Sequence, residues 1–342
     1  MALTKKEIKE IRDALDNAAR PIFFFDDDPD GVFSFVQLYR YVGDGKGIIV
    51  KTAAELSPMF ARKVEEYQPD LVVILDVPVV GQDFFDQISQ KIIWLDHHPV
   101  IERKGVDYYN PRVHDDKDNR PTSYWAYQIA KKDLWMGMAG SVADWHVPDF
   151  KEEFVKQYSD LFDKRVKKPD TAMFDTKIGL LGRMTAYNLK KDARDAMRSV
   201  KTLTRIEDPH EILDQTTPRG KYIYKKYKKH DQVYQKLMDQ VEVTDDPILL
   251  FVYPDNQTSF TSELSNELLH KYPDKFIFVG REKNGVVKLS IRSQKDKVLP
   301  KLEKALKAVP GHGGGHDYAC GAAVKSEDLK KFISVIRSEL EK

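Results

Sequence analysis

Residues 21–34 read PIFFFDDDPDGVFS, an apolar run that closes on aspartates 26, 27, 28 and 30 and is followed at once by Gly31. Carboxylates this close repel one another unless a cation or a set of backbone N–H groups offsets the charge. Related places lie downstream: LVVILD ends on Asp76, IIWLDHH ends on Asp96, His97 and His98, and GSVADW carries Asp144. One acid after a buried strand often only caps a helix. Its recurrence argues that the acidic ends converge and hold divalent metal. Carboxylates alone suit magnesium or calcium, whereas carboxylate with imidazole suits manganese, iron, cobalt or zinc. Two such ions sharing an aspartate would lower the pKa of a bridging water and clamp a transferring phosphoryl group. Nothing in the chain resembles a serine-nucleophile elbow or a kinase glycine loop.

The elements needed to position these residues can be read from the apolar pattern. Residues 4–19 have helical spacing, Pro21 ends that helix, and IFFF has the density of a strand buried on both faces. DDDPDG reads as a loop, with Pro29 holding Asp28 extended, Gly31 permitting a tight turn, and a helix following over 32–41. Strands are expected at 47–50, 71–75 and 91–95, a helix at 57–67 and a partly helical stretch at 84–88. Short apolar strands alternating with helices predict a mostly parallel sheet covered on both faces, with polar ligands beyond its carboxyl ends. Residues 109–120 read as a surface loop. Helices over 122–132 and 134–142 follow, the second delivering Asp144 and His146.

Residues 150–240 are mainly charged helices, including the basic KYIYKKYKK at 221–229. That run reads equally as a nucleic-acid track or as a solvated helix face with its tyrosines turned inward. Tyr124, Trp125 and Tyr127 likewise suit base stacking or helix packing, and Trp145 lies beside the acid Asp144. Strands are then expected at 248–253, 276–280 and 286–291, the last two joined by an Asn284–Gly285 hairpin turn. Helices at 259–272, 299–308 and 326–340 complete a smaller α/β domain. The expected organisation is an α/β chain: a mostly parallel-sheet domain over 1–190, a helical connector over 191–245 and a smaller α/β domain over 246–342.

Composition sets the bounds. The 342 residues suffice for two cores, and a formal charge of +1 neither demands nor excludes a polyanionic partner. With Cys320 as the single cysteine, no intrachain disulfide or thiolate metal cluster can form, which suits a reducing compartment. The N-terminus lacks the apolar core of a signal peptide, and no stretch reaches the roughly 18 apolar residues of a membrane span. The expected location is the cytoplasm, away from membrane.

Asp96-His97-His98 matches the signature of the DHH phosphoesterases. DDDPDG resembles their first, acidic motif, Asp76 stands where their second has its aspartate, and GSVADW resembles the fourth. GGGHDYACGAAV at 313–324 is similar to the glycine-rich motif of the associated DHHA1 domain, and SIRS at 290–293 matches the strand that often precedes it. The resemblance implies a DHH catalytic domain followed by a DHHA1-like substrate-binding domain, in the RecJ-like and nanoRNase-like branch. It implies two divalent metal ions, with Mn2+ preferred over Mg2+. Their ligands would be Asp28, Asp30, Asp76, His97 and Asp144, with Asp76 as the bridge. Asp96 would orient a ligand histidine. His98 would touch the scissile phosphate or protonate the leaving oxygen. Arg292, Gly313, Gly314, Gly315 and His316 would grip substrate in the cleft between the domains. One departure stands out: the family's first motif usually opens with histidine where this chain has Asp26. A carboxylate there still ligates a hard cation and shifts preference towards magnesium or manganese.

The function so implied is metal-dependent hydrolysis of single-stranded DNA, RNA or short oligonucleotides from an end, releasing mononucleotides, with a replication or repair protein as a possible partner. The GGGH motif separates the chain from family II pyrophosphatases, which share the first domain only. Two alternatives stay open. One is a phosphoesterase of cyclic dinucleotides or 3′-phosphoadenosine phosphate, and the other an inactive replication scaffold on the same fold.

Overall fold

The computed structural model describes residues 3–51, 55–255 and 258–340. The chain divides into two compact units, Met1–Tyr227 and Lys228–Lys342. In the first, α1 (Lys5–Asp16) leads to β1 (Ile22–Asp26), α2 (Pro29–Val42), β2 (Lys46–Val50), α3 (Pro58–Tyr67), β3 (Leu71–Leu75), α4 (Gln82–Phe85), β4 (Lys91–Leu95) and β5 (Asp107–Tyr109). The five strands form one parallel sheet in the order β2-β1-β3-β4-β5. Both faces are buried, as expected of an all-parallel sheet. Phe23, Phe25, Val73, Leu75, Ile93 and Leu95 point into one core with α1 and α2. Ile22, Phe24, Val72, Ile74, Ile92 and Trp94 point into the other, with α3 and α4. Phe23, Phe24 and Phe25 are fully buried. At roughly 1.5–3 kcal/mol per buried large apolar side chain, they anchor the strand that must carry several carboxylates at its end.

A run of helices completes the unit: α5 (Thr122–Ala130), α6 (Leu134–Ala143), α7 (Lys151–Gln157), α8 (Pro169–Asp175), α9 (Lys177–Asn188), α10 (Ala193–Leu203) and α11 (His210–Leu213). The long helix α12 (Pro218–Met238) contains the boundary between the units. Tyr124, Trp125 and Tyr127 are buried, so packing accounts for them.

The second unit holds β6 (Ile248–Pro254), α13 (Thr261–Lys271), β7 (Phe276–Lys283), β8 (Val286–Arg292), α14 (Leu299–Ala308), β9 (Gly311–His316), β10 (Ala319–Lys325) and α15 (Leu329–Leu340). Its sheet runs β6-β7-β8-β10-β9, with only β6 and β7 parallel. Asn284 and Gly285 both take positive φ, 52° and 73°, as a tight hairpin turn requires. The core of this unit lies between one sheet face and α14 and α15.

Two local expectations need correction. DDDPDG is not wholly a loop: α2 begins at Pro29, because Asp28 caps it through the Gly31 amide and Pro29 fits the first helical position. The stretch 109–120 is preceded by an unforeseen short strand, β5, whose three residues are too few to show a period.

Candidate functional site

Strand order reverses between β2-β1 and β1-β3, and the carboxyl ends of β1 and β3 flank that switch. Asp26, Asp28 and Asp30 leave the end of β1, and Asp76 leaves the end of β3. Gly31 keeps α2 close: a Cβ there would stand 2.7 Å from the Asp26 carbonyl oxygen. The close approach, rather than a turn, is what demands glycine.

Asp30 is buried, and both its oxygens accept backbone N–H groups, Oδ2 from Thr122 and Oδ1 from Ser123, at 2.8 Å each. These are first-turn amides of α5, so a helix N-terminus faces the carboxylate. Asp76 is 1% exposed with φ 62°, a left-handed backbone uncommon outside glycine and asparagine. Its N–H extends the ladder to the Leu95 carbonyl, and its Oδ1 accepts from Thr122 Oγ1 at 3.1 Å. Asp144 caps α6 at its C-terminus.

His97 closes the arrangement. Its Nδ1 lies 3.3 Å from the Asn119 carbonyl, which fixes the proton on that nitrogen. Nε2 then presents its lone pair to Asp76 Oδ1 at 3.4 Å, Asp144 Oδ2 at 3.5 Å and Asp30 Oδ2 at 3.8 Å. Buried carboxyl oxygens converging on one ring nitrogen form a donor set that a cation among them would neutralise. Potential ligand atoms gather in three sets, each within 4.8 Å: Asp26, Asp28 and Asp76; Asp30, His97 and Asp144; and Asp76, His97 and His98. Asp76 and His97 recur between sets, so the donors fit more than one hard or borderline divalent ion.

The electrostatics agree. Burial, then neighbouring carboxylates, raises Asp76 well above its ordinary range. Burial, then the charges of Asp30 and Asp28, push Asp144 up to about 9. Asp26 is pushed up to about 7 by burial and then by Asp28. For Asp28, burial and then Asp30 raise the pKa. Such groups are held at a cost until positive charge arrives.

Asp96, fully buried, holds His98 rather than His97: its Oδ1 accepts from His98 Nδ1 at 2.8 Å. Tyr108 and Asn110 reach its other oxygen at 3.4 Å, and Asn110 Nδ2 also donates to the His98 carbonyl at 2.9 Å. Burial lowers the His98 pKa, but the bond to Asp96 and the surrounding acids outweigh it and raise it. His146 turns elsewhere, its ring edge-on to Tyr124 with centroids 5.8 Å apart. Thr122, Ser123, Tyr108, Asn110 and the Asn119 carbonyl escaped sequence reasoning; YNP and PTS, at a loop start and a helix start, were the only signals.

In the second unit, Arg292, Ala319 and His316 lie side by side across β8, β10 and β9. Directly opposed residues share a face. Arg292 is held by Asn266 Oδ1 at 2.9 Å and by the Ile291 and Cys320 carbonyls at 3.0 and 3.2 Å, with Ser262 Oγ at 3.4 Å and, among the described residues, no carboxylate within ion-pair distance. Gly313, Gly314 and Gly315 belong to β9, an exposed edge strand for which the sequence suggested no element. A Cβ at Gly313 or Gly315 would meet the Gly321 or Ala319 carbonyl oxygen at 2.6 or 2.4 Å, whereas Gly314 faces open space.

A parallel sheet whose strand ends gather carboxylates around a histidine, followed by a smaller mixed-sheet unit, defines the class. Residues 245–342 match the family model of the DHHA1 domain. No curated protein matches the sequence. Among solved structures, RecJ of Thermus thermophilus in complex with Mn2+ aligns at TM-score 0.65 and 15% identity, over 99% of this chain and 55% of that one. CDC45 from Entamoeba histolytica aligns at 0.55 and 10%, over 97% and 98% of the two chains. The pGpG-specific phosphodiesterase PggH from Vibrio cholerae aligns at 0.53 and 13%, over 94% and 98%. The C-terminal unit thus contains a DHHA1 domain, and the chain has the DHH/DHHA1 fold that its motifs indicated. It spans just over half of the Thermus RecJ chain. Among the described residues no helix is long and apolar enough to cross a membrane.

Proposed function

We propose that the chain is a divalent-metal-dependent phosphodiesterase that removes mononucleotides from an end of single-stranded DNA, RNA or short oligonucleotides. The observation that supports this most is His97 Nε2 facing carboxylate oxygens of Asp30, Asp76 and Asp144. Asp28, Asp30, Asp76, His97 and Asp144, with Asp26 in place of the usual histidine, would hold two ions, manganese for preference and magnesium as an alternative. Such ions, when bound, supply an activated water and neutralise charge on phosphoryl oxygens.

The chain's own residues do the rest. Thr122 Oγ1 and the first-turn amides of α5 hold Asp76 and Asp30 in place. Asp96 accepts the His98 Nδ1 proton and so directs Nε2 outward. A raised His98 pKa keeps a proton on Nε2, suited to a phosphate oxygen or a departing hydroxyl. Arg292, with no carboxylate to neutralise it among the described residues, and the bare β9 backbone would grip a substrate phosphate in the second unit. The chain would act in the cytoplasm, with replication or repair proteins as candidate partners.

Metal-stripped protein is to be incubated with 5′-labelled single-stranded DNA, its RNA counterpart and a dinucleotide, with Mn2+ or Mg2+ restored, beside an Asp76→Asn control. Stepwise shortening that needs metal and vanishes in the variant is expected. No turnover of any substrate by folded, metal-loaded protein would sink the proposal and favour the scaffold reading that the likeness to CDC45 keeps open. Turnover of the dinucleotide alone would favour a small-nucleotide phosphoesterase. The likeness to PggH, a pGpG-specific phosphodiesterase, supports that second reading.

A further inference from the structure

The chain as a whole is nearly neutral, and many of its surface lysines sit beside acids, among them Lys9 with Asp13, Lys63 with Glu66 and Lys304 with Glu339. Along one exposed stripe on each of two neighbouring helices, α10 and the first turns of α12, this pairing stops. Arg194, Arg198 and Lys201 recur at i, i+4 and i+7 along α10, all exposed and opposite the buried Ala196, Val200 and Leu203. Lys221 and Lys225, at i and i+4 on α12, are exposed opposite the buried Ile223 and its half-buried tyrosine neighbours. None of these five cations has an ion-pair partner within 4 Å among the described residues.

The two helices are clamped by Lys226, whose Nζ donates to Asp195 Oδ2 at 2.8 Å and to Ser199 Oγ at 2.7 Å. Asp195 and Ser199 flank the α10 stripe, and Lys226 flanks the α12 stripe. With the apolar faces turned to the core and these residues turned to each other, both stripes face solvent side by side. The tyrosines of the KYIYKKYKK run are thus spent on packing and Lys226 on the clamp, but Lys221 and Lys225 are not. The patch also has a direction. Lys51 donates to the Leu189 carbonyl at 2.8 Å, just ahead of α10, and pairs with Asp27 between Asp26 and Asp28. The Arg194 end of the face is therefore tied to the loop that carries the candidate metal ligands.

We infer that the α10–α12 face is a track for the phosphodiester backbone of a single strand, leading it to the metal-ligand loop. The inference rests on the phosphodiesterase reading for what the strand is led to, but not for its binding. With Tyr222, Tyr224 and Tyr227 packed against the core and the stripe itself made of Arg and Lys, recognition would be through phosphate, so DNA and RNA would serve equally.

The test measures binding without turnover. Full-length protein in EDTA is titrated into 5′-fluorescein dT15 and rU15, and anisotropy is followed between about 50 and 200 mM salt, a range over which binding to phosphates weakens strongly. It is compared with a variant carrying Arg194→Gln, Arg198→Gln, Lys221→Gln and Lys225→Gln. An equal rise in Tm on adding Mn2+ to both proteins shows that the fold and the metal centre are intact. The variant should lose on the order of tenfold or more in affinity for both strands. Its log–log salt slope should shrink by up to about 3, at roughly 0.7 for each phosphate no longer neutralised. An unchanged Kd and slope would overturn the track. So would polyglutamate competing as well as an oligonucleotide of equal charge, which would make the face a dock for acidic protein. Should the wild-type protein hydrolyse no phosphodiester, the proposed activity fails while the anisotropy still decides the track.

Discussion

Asp76 concentrates the energetics of the candidate site. It is buried, left-handed in backbone, and surrounded by other acids, so without metal its charged form is disfavoured. Asparagine keeps the shape, can still accept from Thr122 Oγ1 and is at ease at φ 62°. Asp76→Asn should therefore raise the Tm of the metal-free protein at pH 8, by on the order of 3–8 °C for a gain of about 1–2 kcal/mol. The same variant should lose the Mn2+-induced rise in Tm and at least about a thousandfold in turnover. A metal-free variant less stable than wild type would mean that Asp76 serves the fold first. The pH dependence follows in sign. A carboxyl whose folded pKa lies above its unfolded value gives stability that is whole below about pH 4 and lost as pH rises through the folded value. For Asp26 that value is about 7 and for Asp144 about 9. Metal-free protein should thus lose Tm between pH 5 and 9, and the stabilisation by Mn2+ should grow over the same range. Melts with and without EDTA at stepped pH check both.

Among elements, glycines in α2 and β9 make opposite predictions. Alanine within a helix ordinarily gains about 1 kcal/mol over glycine. At Gly31 the new methyl would stand 2.7 Å from the Asp26 carbonyl oxygen, so Gly31→Ala should instead destabilise, by roughly 2 kcal/mol or more, and weaken Mn2+ binding by parting α2 from β1. Gly314 has no atom within 4 Å of an added Cβ and no positive φ, so Gly314→Ala should melt as wild type does. If β9 grips phosphate, that variant should raise KM with little change in kcat. Unchanged kinetics would remove Gly314 from the site. This contrast also shows what was legible in sequence. Leu71–Leu75 is an unbroken apolar run and Lys91–Leu95 one entered by a single lysine, and their bounds were readable to the residue. GHGGGH has no side-chain alternation to show, so only pairing with β10 makes it a strand. Asp26, Asp28, Asp30, Asp76, His97 and Asp144 were legible as a cluster because each lies at or just beyond the end of an apolar run. Thr122, Ser123 and Asn110 were not, because a polar residue at a loop end or helix start looks the same whether it caps a helix or holds a carboxylate.

For the whole molecule, the separation of the cores carries a consequence for stability. Counting the partly buried side chains packed against them, the two clusters flanking the parallel sheet draw on residues 3–227, and the cluster of the second unit on residues 248–340. The candidate ligands Asp26–Asp30, Asp76, His97 and Asp144 all lie in the first. A ligand that binds only folded protein stabilises the cooperative unit that contains its site. Calorimetry of the full chain should therefore resolve two transitions, the larger rising by several degrees with Mn2+ and the smaller staying within about a degree. The enthalpies should divide roughly in proportion to the 227 and 115 residues of the units, since unfolding enthalpy scales with chain length. Intrinsic fluorescence can assign the transitions, because every tryptophan, from Trp94 to Trp145, lies in the first unit. A single transition that moves as one with metal would show that α12, which crosses the boundary, welds the halves into one cooperative body. Substitutions in the core of the second unit would then weaken metal binding from a distance, whereas two transitions confine such effects to the unit in which they are made.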